Sequence, residues 1–395
     1  MTLKTVTAIL DAVKKRPEEL AEARKNGSKV VGYLCCYIPE EIVLALDLIP
    51  VRLGLGGNER LVELGGHYIS TQNCVFVRET LGMFLEKENP YVKNSDVVAI
   101  SASCMQMYRA AELLKYYAKA DTIVLGVPRN FYTDEGRSYY RKEVTWFVEK
   151  LEKLSGKSLE PKRLAQSIAL LRSIREKIRE IYSVQALEDS PISWREITGV
   201  IQAGYYLDRD RYLRLLDELL AEIKQAVPKA DPAVHKTDNK PRIILSGSPI
   251  PPGDNKIINL IEEMGGRIVA DDLCFGLRPY LEIDVKEATA QGIADAYLDK
   301  IPCASLPYLK DLETDRRLAN LSALIKHFQP DGLIYHTLRF CDAFTFKGNE
   351  TKTFLKIPFM EIHTEYAGSD IEGVRTRVEA FLEMIQDEKS RRLEK

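Results

Sequence analysis

Short apolar runs alternate with helix-length amphipathic segments along this chain, and that alternation is the strongest constraint on its fold. Lys29-Val30-Val31-Gly32-Tyr33-Leu34 reads as a short buried strand after an amphipathic helix over about 5–26, which Gly27 stops. Pro39-Glu40-Glu41 then opens a second helix, with proline suited to the first turn and the acids complementing the N-terminal dipole. Pro50-Val51-Arg52-Leu53 begins the next strand, and Gly54, Gly56 and Gly57 form a glycine-rich turn behind it. Strand, helix, strand implies a parallel sheet. The rhythm continues through strands at Asp96–Ile100 and Thr122–Pro128, with a helix from Met105 to Tyr117 between them.

Between about 150 and 230 the pattern turns nearly all helical. Leu164, Ile168, Leu171, Ile174 and Ile178 recur at spacings of three and four. Ser190-Pro191-Ile192-Ser193 interrupts the run, and Pro228-Lys229-Ala230-Asp231-Pro232 marks a boundary. Strands then resume at Pro241–Pro249, Arg267–Asp271, Gly332–His336 and Ile357–Ile362, with helices at Asn255–Met264 and about 371–389. Gly32–Leu53 parallels Leu245–Asp271 in rhythm, and Val97–Leu114 parallels Leu333–Leu355. The expected fold is α/β: two doubly wound, Rossmann-like parallel-sheet domains related by duplication, at 1–150 and 236–395, with a helical segment at 151–235 between them.

With 56 Lys and Arg against 58 Asp and Glu, the chain lacks the basic excess of a general nucleic-acid binder. It shows neither an apolar run of membrane-spanning length nor a signal-peptide pattern, so a cytoplasmic location without nucleic-acid or membrane partners is expected. In a reducing compartment the seven cysteines require an explanation other than disulfides.

Cys35, Cys104, Cys274 and Cys341 each fall just past an expected strand's carboxyl end, where open parallel sheets bind ligands. Cys74 and Cys303 fall at or near expected helix starts, where backbone N–H groups favour thiolate. Cysteines filling a core would instead sit inside strands or on buried helix faces. Zinc sites draw on C-x-x-C pairs, and none is present; a nucleophilic mechanism needs one cysteine, not six. Iron–sulfur clusters accept ligands far apart in sequence and suit the pattern best.

Gly32-Tyr33-Leu34-Cys35-Cys36-Tyr37-Ile38-Pro39-Glu40-Glu41 followed by Pro50-Val51-Arg52 resembles the opening signature of the 2-hydroxyacyl-CoA dehydratase and benzoyl-CoA reductase subunit superfamily. Cys74-Val75-Phe76-Val77-Arg78, Phe340-Cys341-Asp342 and Val374–Glu383 are similar to its later motifs, in the same order. The resemblance implies two α/β domains with extra helices and electrons delivered by a separate ATP-hydrolysing iron–sulfur activator. Within the superfamily the chain looks most like the double-cubane proteins, in which two [4Fe–4S] units share a bridging sulfide as an [8Fe–9S] cluster. Carried over, the ligands are Cys35, Cys74, Cys104, Cys274, Cys303 and Cys341, and Cys36 stands where relatives have a small polar residue. The division of the six between two cubanes stays open.

The implied function is a homodimeric iron–sulfur reductase acting on a small molecule. The alternatives are a dehydratase subunit with a single [4Fe–4S] cluster and a non-catalytic electron store. A crevice rich in thiolate and sulfide resists reduction, which gives an ATP-driven donor its physical reason. No G-x-x-x-x-G-K-[ST] phosphate loop occurs, so a partner must hydrolyse the nucleotide.

Other polar residues carry two readings each. His336 is a candidate proton donor near Cys341 or a satisfied strand-end histidine, and His363 poses the same choice more weakly. Ser70, Thr71 and Asn73 fit helix capping better than donation to cluster sulfurs. Arg78 and Arg339 fit charge compensation or ordinary salt bridges, and Ser246-Gly247-Ser248-Pro249 weakly resembles a phosphate-binding turn.

Overall fold

Val30 to Leu34 and Gly332 to Leu338 are buried along their whole lengths, as strands covered by helices on both faces must be. A computed structural model describes residues 2–227, 240–300, 303, 305–306 and 315–393. The first part interleaves α1 (Lys4–Lys25), β1 (Val30–Leu34), α2 (Glu40–Ala45), β2 (Ile49–Arg52), α3 (Glu59–Gly66), α4 (Val75–Glu86), α5 (Pro90–Lys93), β3 (Val97–Ala102), α6 (Met105–Tyr116) and β4 (Thr122–Gly126). Four helices follow: α7 (Asp134–Ser155), α8 (Pro161–Ser183), α9 (Trp194–Ala203) and α10 (Arg209–Ala226). The last part holds β5 (Arg242–Gly247), α11 (Lys256–Glu263), β6 (Arg267–Asp272), α12 (Ala290–Asp299), α13 (Arg316–Phe328), β7 (Gly332–Leu338), α14 (Asp342–Phe354), β8 (Phe359–Thr364) and α15 (Ile371–Leu393).

The eight strands form two four-stranded sheets, ordered β2-β1-β3-β4 and β6-β5-β7-β8, and every pairing is parallel. The same order in both halves matches their likeness in sequence. Two α/β units with helices between their sheets are therefore present, as expected. The boundary segment Pro228–Pro232 lies outside the described residues.

Elements that sequence periodicity does not reveal owe their form to caps and contacts. Helix α7 begins at Asp134, ahead of the periodic stretch, because Thr133 accepts from the Gly136 N–H at 3.1 Å. Asn58 starts α3 in the same way, accepting from the Leu61 N–H. A Cβ on Gly65 would lie 1.9 Å from the Arg78 carbonyl oxygen, and one on Gly82 would lie 2.0 Å from that of Leu61. Only glycine lets the α3 and α4 backbones approach so closely.

The helices tie the halves together. Glu41 of α2 is fully buried, bonded to Arg175 of α8 at 2.7 Å and to the Tyr297 hydroxyl of α12 at 2.8 Å. Arg141 of α7 makes a bidentate pair with Asp295 of α12, at 2.9 and 2.8 Å. Where the glycine-rich turn meets the segment after β5, the Gly56 N–H donates to the Pro252 carbonyl at 3.0 Å. Among the described residues no helix is long and apolar enough to cross a membrane.

Candidate metal centre

In each sheet the strand order reverses between the two central strands, which opens a crevice beyond their carboxyl ends. Cys35 directly follows β1 and Cys104 lies two residues past β3; Ser248 and Cys341 occupy the comparable places after β5 and β7. Cys35 is held at φ +79°, a left-handed conformation that non-glycine residues adopt at a cost and that recurs at functional sites. Cys74, Cys104 and Cys341 are the N-caps of α4, α6 and α14, and Cys274 follows β6. Cys303 lies beyond α12 and opens a turn in which the Leu306 N–H donates to its carbonyl; its expected place at a helix start falls against residues outside the described set.

The two crevices face each other. All seven cysteines, three of them buried and four half-buried, line a single cavity of about 390 Å³ between the sheets. That volume falls within the range of small-molecule and cofactor sites. Phe76, Val77, Met107, Phe275 and Phe344 make its walls largely apolar, while Met105 and Phe346 lie exposed on its lining. The cavity thus collects the six expected ligands together with Cys36.

Contacts among the sulfurs form two groups. The neighbouring Cys341 thiol, with N–H groups of the α4 first turn, lowers the Cys74 pKa. The Cys274 and Cys35 thiols bond to Cys36 and hold it well below the usual thiol range, and Cys274 likewise brings Cys303 down to about 6. Burial pushes Cys104 up to about 11, although its sulfur accepts from the Met107 N–H at 3.4 Å. Hydroxyls stand beside the sulfurs: Ser103 Oγ lies 3.2 Å from Cys35 Sγ, and Ser248 acts to lower the Cys341 pKa. The Ser246–Pro249 turn therefore borders a cysteine sulfur.

Among the described residues no three Cys, His, Asp or Glu side chains come close enough to share one ion. Seven thiols drawn from both halves around one cavity are a donor set that suits a polynuclear iron–sulfur group, in which each thiolate binds a different iron.

Positive charge also faces the sulfurs. Arg278 donates to Cys274 Sγ at 3.7 Å and to Asp272 at 2.7 Å, and Lys300 Nζ donates to the Cys36 carbonyl at 2.6 Å. Arg52, which in the sequence stands out only as part of a motif, lines the cavity. Arg78 and Arg339 both pair with Glu365, at 3.8 and 2.8 Å, and neither lines the cavity.

His336 is buried within β7, with Nε2 2.6 Å from Thr364 Oγ1, and it does not line the cavity. Burial lowers its pKa to about 4, so it is neutral near pH 7. His363 is exposed beside Glu361 at 3.3 Å. Ser70 caps no helix: its hydroxyl accepts from the Gln72 N–H at 3.2 Å, within the turn before Cys74.

A family model described as 2-hydroxyglutaryl-CoA dehydratase, D-component, matches residues 35–385. The chain belongs to that family. The match begins on the first thiol of the cavity and extends past the last, Cys341. Family members similar over most of their length include YjiM of Escherichia coli K12, described as a candidate dehydratase subunit. It is 24% identical over 92% of this chain and 93% of its own length. The (R)-phenyllactyl-CoA dehydratase beta subunit of Clostridium sporogenes is 23% identical, covering 91% of this chain and 93% of its own length. A benzoyl-CoA reductase subunit of Thauera aromatica is 26% identical, covering 80% and 79% respectively.

Proposed function

We propose that this 2-hydroxyglutaryl-CoA dehydratase family member is an iron–sulfur reductase whose cavity holds a double-cubane [8Fe–9S] cluster. The observation that carries the reading is the gathering of cysteines from both halves around one cavity. The contacts pair Cys74 with Cys341 and Cys274 with Cys303, and we place Cys104 with the first pair and Cys35 with the second. Each set takes ligands from both sheets, so the cluster would bridge the halves.

When bound, such a group supplies low-potential electrons one at a time. The chain's own residues prepare the environment. Apolar walls limit water, the Ser103 and Ser248 hydroxyls donate to sulfurs, and Arg278 and Lys300 offset negative charge. A separate ATP-hydrolysing iron–sulfur activator provides the electrons, the active assembly is a homodimer in the cytoplasm, and the acceptor is a small molecule.

Anaerobic iron and sulfide analysis tests this directly. About eight irons per chain are expected. About four irons would favour a second reading, a single-cluster subunit of a CoA-thioester dehydratase with a partner chain, for which the named relatives speak. Zinc or no metal would overturn both. Turnover with activator, ATP and reductant then separates a reductase from an electron store.

A further inference from the structure

Seven arginines are buried among the described residues, and six have a carboxylate. Arg175 has Glu41, Arg209 has Glu40 and Arg278 has Asp272, at 2.5 to 2.7 Å; Arg16, Arg78 and Arg317 have Glu19, Glu365 and Asp315, at 3.1 to 3.8 Å. Arg52 is the exception: it is 2% exposed, no acidic side chain among the described residues pairs with it, and its Nε lacks a hydrogen-bond partner there. Its guanidinium packs over the Phe275 ring at 3.9 Å and the Tyr205 ring at 4.7 Å, and the residue lines the thiol cavity.

Burying a cation without a counter-charge costs several kcal/mol, whereas paired burial can be sustained. The two rings recover part of that cost and hold the guanidinium plane. They supply no negative charge. The ionisable groups within electrostatic reach of this cation are the Tyr205 and Tyr33 hydroxyls and the Cys36 and Cys274 sulfurs, and of these only the two sulfurs line the cavity with it. Lys300, bonded to the Cys36 carbonyl, adds a second cation close to the same residue.

Resting on the cluster reading above, we propose that Arg52 is the built-in counter-cation of the cofactor, positioned by Phe275 and Tyr205 to stabilise its reduced state. Each electron added makes the cofactor more negative, so a fixed positive charge raises its reduction potential. The arrangement draws on all three parts of the chain: Arg52 ends β2, Tyr205 follows α9, and Phe275 follows β6.

The test is an anaerobic redox titration followed by electron paramagnetic resonance on the parent, Arg52→Met and Arg52→Lys, with iron and sulfide measured on each. Arg52→Met is expected to load iron and to lower the equilibrium constant for reduction at least tenfold, 59 mV for one electron. Arg52→Lys should stay nearer the parent because it keeps the charge. If the Met variant fails to load while the Lys variant loads with a near-parental potential, the assignment also stands. Full iron with an unshifted potential in the Met variant overturns it, as does loss of iron from both variants. Absence of iron from the parent instead overturns the cluster reading itself, and is distinguished by that measurement alone.

Discussion

The Cys35 sulfur lies 3.2 Å from the Ser103 hydroxyl, joining the ends of β1 and β3, and the second half repeats this pairing with the residue types exchanged. There Ser248 stands directly after β5, as Cys35 does after β1, and its hydroxyl acts to lower the pKa of the Cys341 thiol beyond β7. A donor to a ligand sulfur stabilises negative charge on it and raises the cluster potential. Ser103→Ala should therefore keep its iron and shift the midpoint potential to more negative values. The shift should amount to a fraction of the ~1.5–3 kcal/mol that a hydrogen bond to a charged group contributes. Redox titration of the two proteins checks it, and an unchanged potential would count against the hydroxyl's role.

Cys104 and Cys36 allow the ligand set to be tested in opposite directions. Both line the cavity, but only Cys104 belongs to the proposed six. Cys104→Ser should lose about half of the iron, one cubane of two. Cys36→Ala should retain the full complement. The reverse pattern in iron analysis would exchange their roles.

Glu79 of α4 is fully buried, and its carboxylate accepts from the Asn58 N–H at 3.2 Å. Burial raises its pKa from 4.5 to about 8. An acid whose folded pKa is raised contributes its full stability below the unfolded value, and loses it as pH rises through the folded one. Between about pH 4.5 and pH 8 the parent should therefore lose stability relative to Glu79→Gln. Chemical denaturation of both proteins across that window measures the difference; parallel stability curves would refute a protonated Glu79.

Arg175 neutralises Glu41 at 2.7 Å, in a contact that joins α2, α8 and, through Tyr297, α12. Arg175→Met leaves the buried Glu41 carboxylate without its cation and should cost about 3–5 kcal/mol of unfolding free energy. Adding Glu41→Gln should restore most of that loss, since the amide carries no charge and still accepts from Tyr297. Denaturant midpoints of the single and double variants test both statements.

Much of the fold was legible in the sequence because its signals are local. Val30–Leu34, Val97–Ile100 and Gly332–Tyr335 announce themselves as short apolar runs, and the helices by spacings of three and four. The cysteine positions were legible for the same reason: a residue just past a strand stays there wherever the sheet goes. Helices α3 and α12 escaped notice because they are short and contain glycine, and packing rather than propensity holds them. For His336 the sequence left two readings open. It lies five residues from Cys341, yet the pleat of β7 turns its ring toward Thr364 and away from the cavity.

The sequence by itself determined the two α/β halves and the placing of cysteines at the ends of their elements, since backbone periodicity and strand ends are set within a few residues. Only the tertiary structure decided which sulfurs meet, that Cys36 stands among them, and that Arg52 is the one buried arginine without a carboxylate among the described residues. Those relationships depend on two sheets closing crevice to crevice. That closure brings Arg52 against Tyr205 and Phe275, more than 150 residues away, and no local pattern in the sequence encodes such a contact.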